Sequence, residues 1–194
     1  MQGYGLTEAS PVVSCNLPDL IKVETVGPPF RTNKVRISED GEILIKGENV
    51  MLGYWNLKEE TEKVIRDGWL HTGDIGYIDS RGYVFIKDRI RDVVITGGFN
   101  VYPSDVEVVL GRHPDIRECV VFGVADEKWG EAVHAAVELH DGATTSAADI
   151  IEFVKQQLDS VKAPKAVHIT QSLPRSSVGK VLRRAAKELF AQGG

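Results

Sequence analysis

The sequence predicts an α+β protein in two parts: a small antiparallel, β-barrel-like unit over residues 1–88, then an α+β unit over residues 89–194 with a small sheet and flanking helices. Three observations predict it. Short, glycine-punctuated strand patterns fill the first part, and strand and helix patterns alternate in the second. Between them stands Asp88-Arg89-Ile90-Arg91-Asp92, with four charges in five residues. The charge balance changes there as well: residues 1–88 hold 10 basic and 14 acidic side chains, net −4, and the rest hold 13 and 14, net −1.

The elements follow in order. Val35-Arg36-Ile37 and Glu42-Ile43-Leu44-Ile45 read as strands around Glu39-Asp40-Gly41, because Asp-Gly between alternating apolar runs favours a tight hairpin. Leu57 to Arg66, with apolar Val64 and Ile65, reads as a short helix. A second hairpin spans Gly76 to Lys87 and turns at Asp79-Ser80-Arg81-Gly82. Val93-Val94-Ile95 is a strand. Pro103 suits a first helical turn, where its missing N–H has no partner to lose. Val106, Val109 and Leu110 then form an i, i+3, i+4 stripe. Glu118–Val124 and Ala132–Leu139 read as paired strands. Ser146 caps a helix carrying Ile150, Ile151, Val154 and Leu158, with Asp149 placed to complete a capping box. Ala166 to Thr170 is a last short strand, and Val181 to Phe190 a basic terminal helix.

Composition narrows the function. An apolar fraction of 42% and a charged fraction of 26% suit a folded globular chain and argue against disorder. A net charge of −5 gives a nucleic-acid backbone little to bind, so no nucleic-acid partner is expected. No apolar run approaches the roughly 20 residues that cross a bilayer, so no transmembrane segment is expected. Cys15 and Cys119 make neither a disulfide framework nor a cysteine zinc site, and the expected location is a reducing cytoplasm. The five histidines show no metal spacing.

Five segments could carry chemistry, and each has a plainer reading. In Gly3-Tyr4-Gly5-Leu6-Thr7-Glu8 the glycines allow close approach of a ligand, Thr7 can donate to a phosphate and Glu8 can hold Mg²⁺ through oxygen; the segment can equally be a polar loop. Asp74, ending Gly68-Trp69-Leu70-His71-Thr72-Gly73-Asp74, can accept two hydrogen bonds from a vicinal diol or simply close a surface turn. Asp88 to Asp92 is either a solvated connector or a hinge, with Arg89 reaching a ligand and Arg91 absorbing the backbone change. Gly97 and Gly98, between a strand and a helix, either admit a narrow ligand chain or form a plain turn. Lys180, at the end of Pro174-Arg175-Ser176-Ser177-Val178-Gly179-Lys180, is a point charge for a carboxylate or phosphate or the start of a solubilising helix. Pro174 stands where a P-loop needs glycine.

The order and spacing of these segments, with Gly53-Tyr54-Trp55 among them, resemble the C-terminal part of the adenylate-forming enzymes. These comprise acyl- and aryl-CoA synthetases, peptide-synthetase adenylation domains and firefly luciferase, the AMP-binding superfamily. The resemblance implies a ligase that couples a fatty or aryl carboxylic acid to AMP, using ATP and Mg²⁺, and then passes the acyl group to coenzyme A. It implies that residues 1–88 close the large ATP/AMP-binding domain and that residues 89–194 form its lid. It further implies that Tyr4 stacks on adenine, Thr7 binds phosphate, Glu8 ligates Mg²⁺, Asp74 holds the ribose hydroxyls and Arg89 touches ribose or phosphate. By the same resemblance Lys180 is catalytic in adenylation, Gly97 and Gly98 line the pantetheine tunnel, and Arg91 is the hinge, where relatives often carry Asp or Lys.

The family's Gly- and Ser/Thr-rich phosphate loop lies upstream of the segment matching Tyr4, and nothing in this sequence matches it. The chain therefore resembles the last part of a larger enzyme, whose N-terminal domain is the expected partner, and is expected not to form acyl-adenylate at a useful rate alone. Leu6 suits the CoA-ligase branch, since adenylation domains that load carrier proteins more often have proline there. Such a carrier-loading domain is the second reading. The third is a stand-alone, non-catalytic lid or interaction module, which predicts an apolar surface on residues 1–88 and self-association.

Overall fold

The computed structural model describes residues 2–19 and 21–191. The chain divides into two compact units, Met1–Arg91 and Asp92–Gly194.

In the first unit, β1 (Gly3–Tyr4) pairs antiparallel with β2 (Ser14–Cys15), and a 3₁₀ turn at Thr7–Ala9 lies between them. The first predicted hairpin is β3 (Asn33–Ile37) and β4 (Glu42–Gly47), with Val35 opposite Ile45 and Ile37 opposite Ile43. Gly41 takes φ +84°, the left-handed conformation that this turn needs and that glycine adopts without a Cβ penalty. Helix α1 (Lys58–Val64) leads into β5 (Ile65–Arg66), β6 (Trp69–Ile78) and β7 (Val84–Arg89). Strand β6 is the spine of an antiparallel sheet: β4, β5 and β7 all pair with it. The sheet closes over Ala9, Val13, Ile43, Ile45, Leu70 and Val84. Because Ala9 and Val13 are part of this core, the Gly3–Glu8 segment just ahead of them is held in place. At the second hairpin turn, the Asp79 carboxylate accepts from the amides of Arg81 and Tyr83, each at 2.9 Å. Its ion pair with Lys22 at 2.6 Å, together with those amides, holds its pKa down to about 2.

In the second unit, β8 (Val94–Thr96), β9 (Phe99–Val101), β10 (Ile116–Asp126), β11 (Gly130–Leu139) and β12 (Ala166–Thr170) form one sheet. The β10–β11 ladder is antiparallel, with Val121 opposite Ala135 and Phe122 opposite His134, while β12 runs parallel to β11. Alternate side chains feed opposite faces, as the two-residue period of a strand requires. Val121, Val133 and Val137 pack with Val106 and Leu110 of α2 (Pro103–Leu110) and Ile150 and Val154 of α3 (Ala147–Gln157). Val120, Phe122 and Ala136 pack with Leu173 and with Ala186 of α4 (Arg183–Phe190). The capping box of α3 forms as read: Ser146 Oγ accepts from the Asp149 amide at 3.2 Å, and the Asp149 carboxylate accepts from the Ser146 amide at 3.1 Å. His134 and His168 lie 3.2 Å apart between ring nitrogens, with Phe122 and Phe190 beside them; burial lowers both pKa values.

Three local expectations are corrected. Ile65 and Arg66 leave the helix and pair with Leu70 and Trp69. Asp67 at φ +53° and Gly68 at φ +73° build a two-residue turn between them, the same Asp-Gly signal as at Asp40-Gly41. Gly97 and Gly98 do not join a strand to a helix. They turn β8 back into β9, with φ +56° and +83°, and the helix begins only at Pro103. The terminal helix starts at Arg183 and not at Val181, which bridges to Arg175, so Lys180 stands on the loop ahead of it.

Candidate functional site

Asp74 lies on β6 beyond a kink. Gly73 takes φ +72°, and its amide donates to Glu42 Oε1 at 2.8 Å. The other Glu42 oxygen pairs with His71 Nδ1 at 2.6 Å. Thr72 Oγ1 donates to the Ile43 carbonyl at 2.8 Å and accepts from the Asp74 amide at 3.1 Å. These bonds replace regular ladder pairing, whose register shifts between Glu42 and Leu44 and again between Ile75 and Gly76. The kink is thus held by side-chain bonds from Glu42 and Thr72, and it carries Asp74 to the wall of a cavity.

Two residues distant in sequence meet that carboxylate. Tyr4 Oη donates to Asp74 Oδ2 at 2.7 Å. Arg89, opposite Asp74 in the β6–β7 register, brings Nε to 3.8 Å from Oδ1. Burial, then the bond to Asp74, pushes the Tyr4 hydroxyl far above the usual phenol range, so it remains a donor at any physiological pH. A cavity of about 480 Å³ opens beside them, and Gly5, Glu8, Tyr54, Thr72, Asp74, Arg89 and Arg91 are among the residues lining it. Glu8 Oε1 accepts from Tyr54 Oη at 2.8 Å, a bond that raises the tyrosine pKa. Thr7 is exposed on the 3₁₀ turn; neither it nor Tyr4 is among the lining residues.

Glu8 offers one carboxylate to a cation. Among the described residues no group of three or more His, Cys, Asp or Glu gathers for a metal. A single carboxylate fits Mg²⁺ that keeps several waters and takes its other ligands from phosphate oxygens; it does not fit a cation held by protein alone.

The other predicted residues belong to the second unit. The Gly97 amide donates to the Trp129 carbonyl at 2.8 Å, and the indole lies so close that a Cβ on Gly97 would sit 3.0 Å from Trp129 Cε3. Lys180 is exposed on a tight loop. The Ser176 amide donates to the Lys180 carbonyl at 2.8 Å, the Lys180 amide to Ser176 Oγ at 3.2 Å, and the Leu182 amide to the Pro174 carbonyl at 2.8 Å. The structure therefore gathers Glu8, Asp74, Arg89 and Arg91 around one cavity with Tyr4 behind Asp74, and carries Gly97, Gly98 and Lys180 on two turns of the other unit. Tyr54, Thr72 and Glu42 were not singled out from the sequence. Tyr54 and Thr72 sit inside motif segments, whereas Glu42 reads only as a strand residue.

Residues 1–55 match the family model of the AMP-binding enzyme, and residues 105–180 match that of the AMP-binding enzyme C-terminal domain. The chain belongs to the AMP-binding enzyme family. Within that family it is 45% identical over 191 residues to 3-[(3aS,4S,7aS)-7a-methyl-1,5-dioxo-octahydro-1H-inden-4-yl]propanoyl:CoA ligase of Rhodococcus jostii, covering 97% of this chain and 37% of that protein. It is 43% identical over 200 residues to the long-chain-fatty-acid–CoA ligase of Bacillus subtilis, covering 97% and 36%. Among solved structures, ATP-bound MatB from Rhodopseudomonas palustris matches with a TM-score of 0.92 at 38% identity, over 97% of this chain and 40% of that one. The chain thus spans little more than a third of the length of these curated AMP-binding relatives. Tyr4, Thr7 and Glu8 fall within the first family match and Lys180 ends the second, while Asp74, Arg89, Gly97 and Gly98 fall between them. No helix among the described residues is long and apolar enough to cross a membrane.

Proposed function

We propose that the chain supplies the ribose-binding wall and the lysine-bearing lid of an ATP-dependent acyl- or aryl-CoA ligase, the remaining domain being its partner. The observation that carries this reading is the Asp74 carboxylate, set between Tyr4 and Arg89 at the wall of a cavity. A ribose diol offers two hydroxyl donors to such a carboxylate, as charge-assisted bonds. In this reading the Tyr4 ring stacks on adenine while its hydroxyl keeps Asp74 oriented, Arg89 faces ribose or phosphate, and Thr7 donates to phosphate. Glu8 would hold Mg²⁺ through its carboxylate, and the ion would supply positive charge against the phosphates. The acid's carboxylate displaces pyrophosphate from ATP to give acyl-AMP, with the Lys180 ammonium balancing charge at the α-phosphate. Coenzyme A then attacks as a thiol past Gly97 and Gly98 and releases AMP, the lid turning about Arg91 between the two steps.

The test is titration of the 194-residue chain with AMP, followed by NMR. Shifts centred on Tyr4, Gly73, Asp74 and Arg89 are expected. Saturating AMP that leaves these signals unmoved rejects the reading.

A second property rests on the surface. Leu52, Trp55 and Leu57 are 102%, 88% and 54% exposed, and exposed apolar side chains grouped on one surface mark an interaction site. Concentration-dependent dimerisation of the chain in size-exclusion chromatography with light scattering is expected, and weakened by Trp55→Ser. A monomer at every concentration rules it out.

A further inference from the structure

Glu138 lies in β11 next to Ala136 and Val137, in a run that is apolar on both faces, and is itself only 1% exposed. A carboxylate in such a place requires partners, and it has them. Oε1 accepts from the Leu173 amide at 2.6 Å and from Arg175 Nη2 at 2.9 Å. Oε2 accepts from Arg117 through both Nε, at 3.1 Å, and Nη2.

The ladder register adds a second feature. Glu118 of β10 stands directly opposite Glu138, and like charges facing each other across an antiparallel pair repel. Arg175 lies between them, with Nη2 2.6 Å from Glu118 and 2.9 Å from Glu138. Two opposed glutamates weaken a sheet unless a cation sits between them, so together they form a socket for one guanidinium. Arg175 also donates to the Gly179 carbonyl at 3.3 Å. Leu173 and Arg175 are the root of the loop whose far end is Lys180. Beyond that root, Ser177, Val178, Gly179 and Lys180 are all exposed.

We propose that Glu138 is a positioning residue for Lys180: through Arg175 and the Leu173 amide, it fixes the base of the loop that presents the ammonium group. The importance of that placement for acyl transfer to AMP rests on the function proposed above; the socket does not.

The test uses the 194-residue chain without nucleotide, so its outcome is independent of AMP binding. Amide hydrogen exchange is measured by NMR in wild type, Glu138→Gln and Arg175→Gln. Losing one charge-assisted anchor should speed exchange at Ser176, Gly179, Lys180 and Leu182 by about tenfold or more, with Val121 and Ala136 on the ladder changing less than about twofold. Arg175→Gln leaves Glu138 its bonds from Arg117 and the Leu173 amide, and combined with Glu118→Gln it also removes the opposed charge, so this pair decides the matter if Glu138→Gln folds poorly.

A pH series separates positioning by charge from simple packing. Burial raises the Glu138 pKa, but the bonds from Leu173, Arg117 and Arg175 outweigh it, and the carboxyl titrates below the ordinary glutamate range. A group depressed in the folded state contributes above its ordinary pKa and loses that contribution as pH falls through the folded value. Loop protection in wild type should therefore hold from neutral pH past the ordinary glutamate range and fall only below it, whereas Glu138→Gln should be low and flat. Charged groups facing Glu138 are Arg117 and Glu118 on β10 and Arg175 on the loop, while Thr170 of β12 is neutral. Glu118→Gln, run alongside, isolates the second carboxylate. Unchanged loop exchange in both anchor variants, equal acceleration across the ladder, or an identical acid profile in Glu138→Gln would each overturn the assignment.

Discussion

Gly5→Ala should destabilise the first unit by about 3 kcal/mol, the upper range for forced overpacking. A Cβ at this position would fall 1.7 Å from the Pro11 carbonyl oxygen, 2.6 Å from its carbon and 2.8 Å from Val12 Cα. All three are backbone atoms, so no rotamer change relieves the contact. Relief requires moving the strand that brings Val13 into the core and pairs Ser14 with Tyr4. Urea titration read at first-unit amides measures the loss. Gly82→Ala is the control: it takes φ +83°, but nothing lies within 4 Å of a Cβ there, so backbone strain alone should cost about 1 kcal/mol. Similar midpoints for the two variants would show that the segment around Pro11 yields freely. The Tyr4–Asp74 bond should weaken in Gly5→Ala as well, since Tyr4 adjoins Gly5 and pairs with Ser14 of the displaced segment.

That glycine illustrates where sequence reading reaches its limit. A glycine-rich polar loop suggests room for a ligand, and Gly5 does line the cavity. Its tightest neighbour, however, is its own chain six residues on, a contact that no periodicity announces. Signals carried by local geometry were legible. Asp40-Gly41 gave its hairpin, Ser146 and Asp149 their capping box, and Val106, Val109 and Leu110 the buried stripe of α2. Asp67-Gly68 carried the same hairpin information, but the preceding helical pattern from Leu57 absorbed it. At Gly97-Gly98, three-residue strands were too short to register against the stronger helix start at Pro103. Long-range pairings were illegible for a different reason. Tyr4 and Asp74 are 70 positions apart, and only the pairing of β1 with β2 and the kink of β6 bring them together. Glu138 was hidden because a charge inside an apolar run reads as an edge position until Leu173 and Arg175 are seen to close over it.

Asp74→Ala should lower the affinity of the chain for AMP by roughly two orders of magnitude, the equivalent of one to two charge-assisted hydrogen bonds. The side chain is 19% exposed, enough to meet a ligand yet sheltered enough for such bonds to exceed their strength in open water. Its two oxygens are engaged differently. Oδ2 accepts from Tyr4 at 2.7 Å, and Oδ1 has Arg89 Nε at 3.8 Å, longer than an ordinary hydrogen bond, so a diol can insert at Oδ1 without breaking a strong bond. Two comparisons tie the effect to ribose. Wild type should prefer AMP to 2′,3′-dideoxy-AMP, and Asp74→Ala should bind both equally weakly, because the group that tells them apart is gone. Tyr4→Phe keeps the ring face and removes only the hydroxyl donor, so it should retain the preference while relaxing the orientation of Asp74. Calorimetric titration of the three proteins with both nucleotides reads all of this. An Asp74→Ala chain that still distinguishes the two nucleotides would move ribose recognition to another side chain, leaving Asp74 as a partner that holds Tyr4 and Arg89 in place. Since the Tyr4 hydroxyl remains a donor across the physiological range, loss of its proton should contribute nothing to any change in that preference between pH 6 and 8.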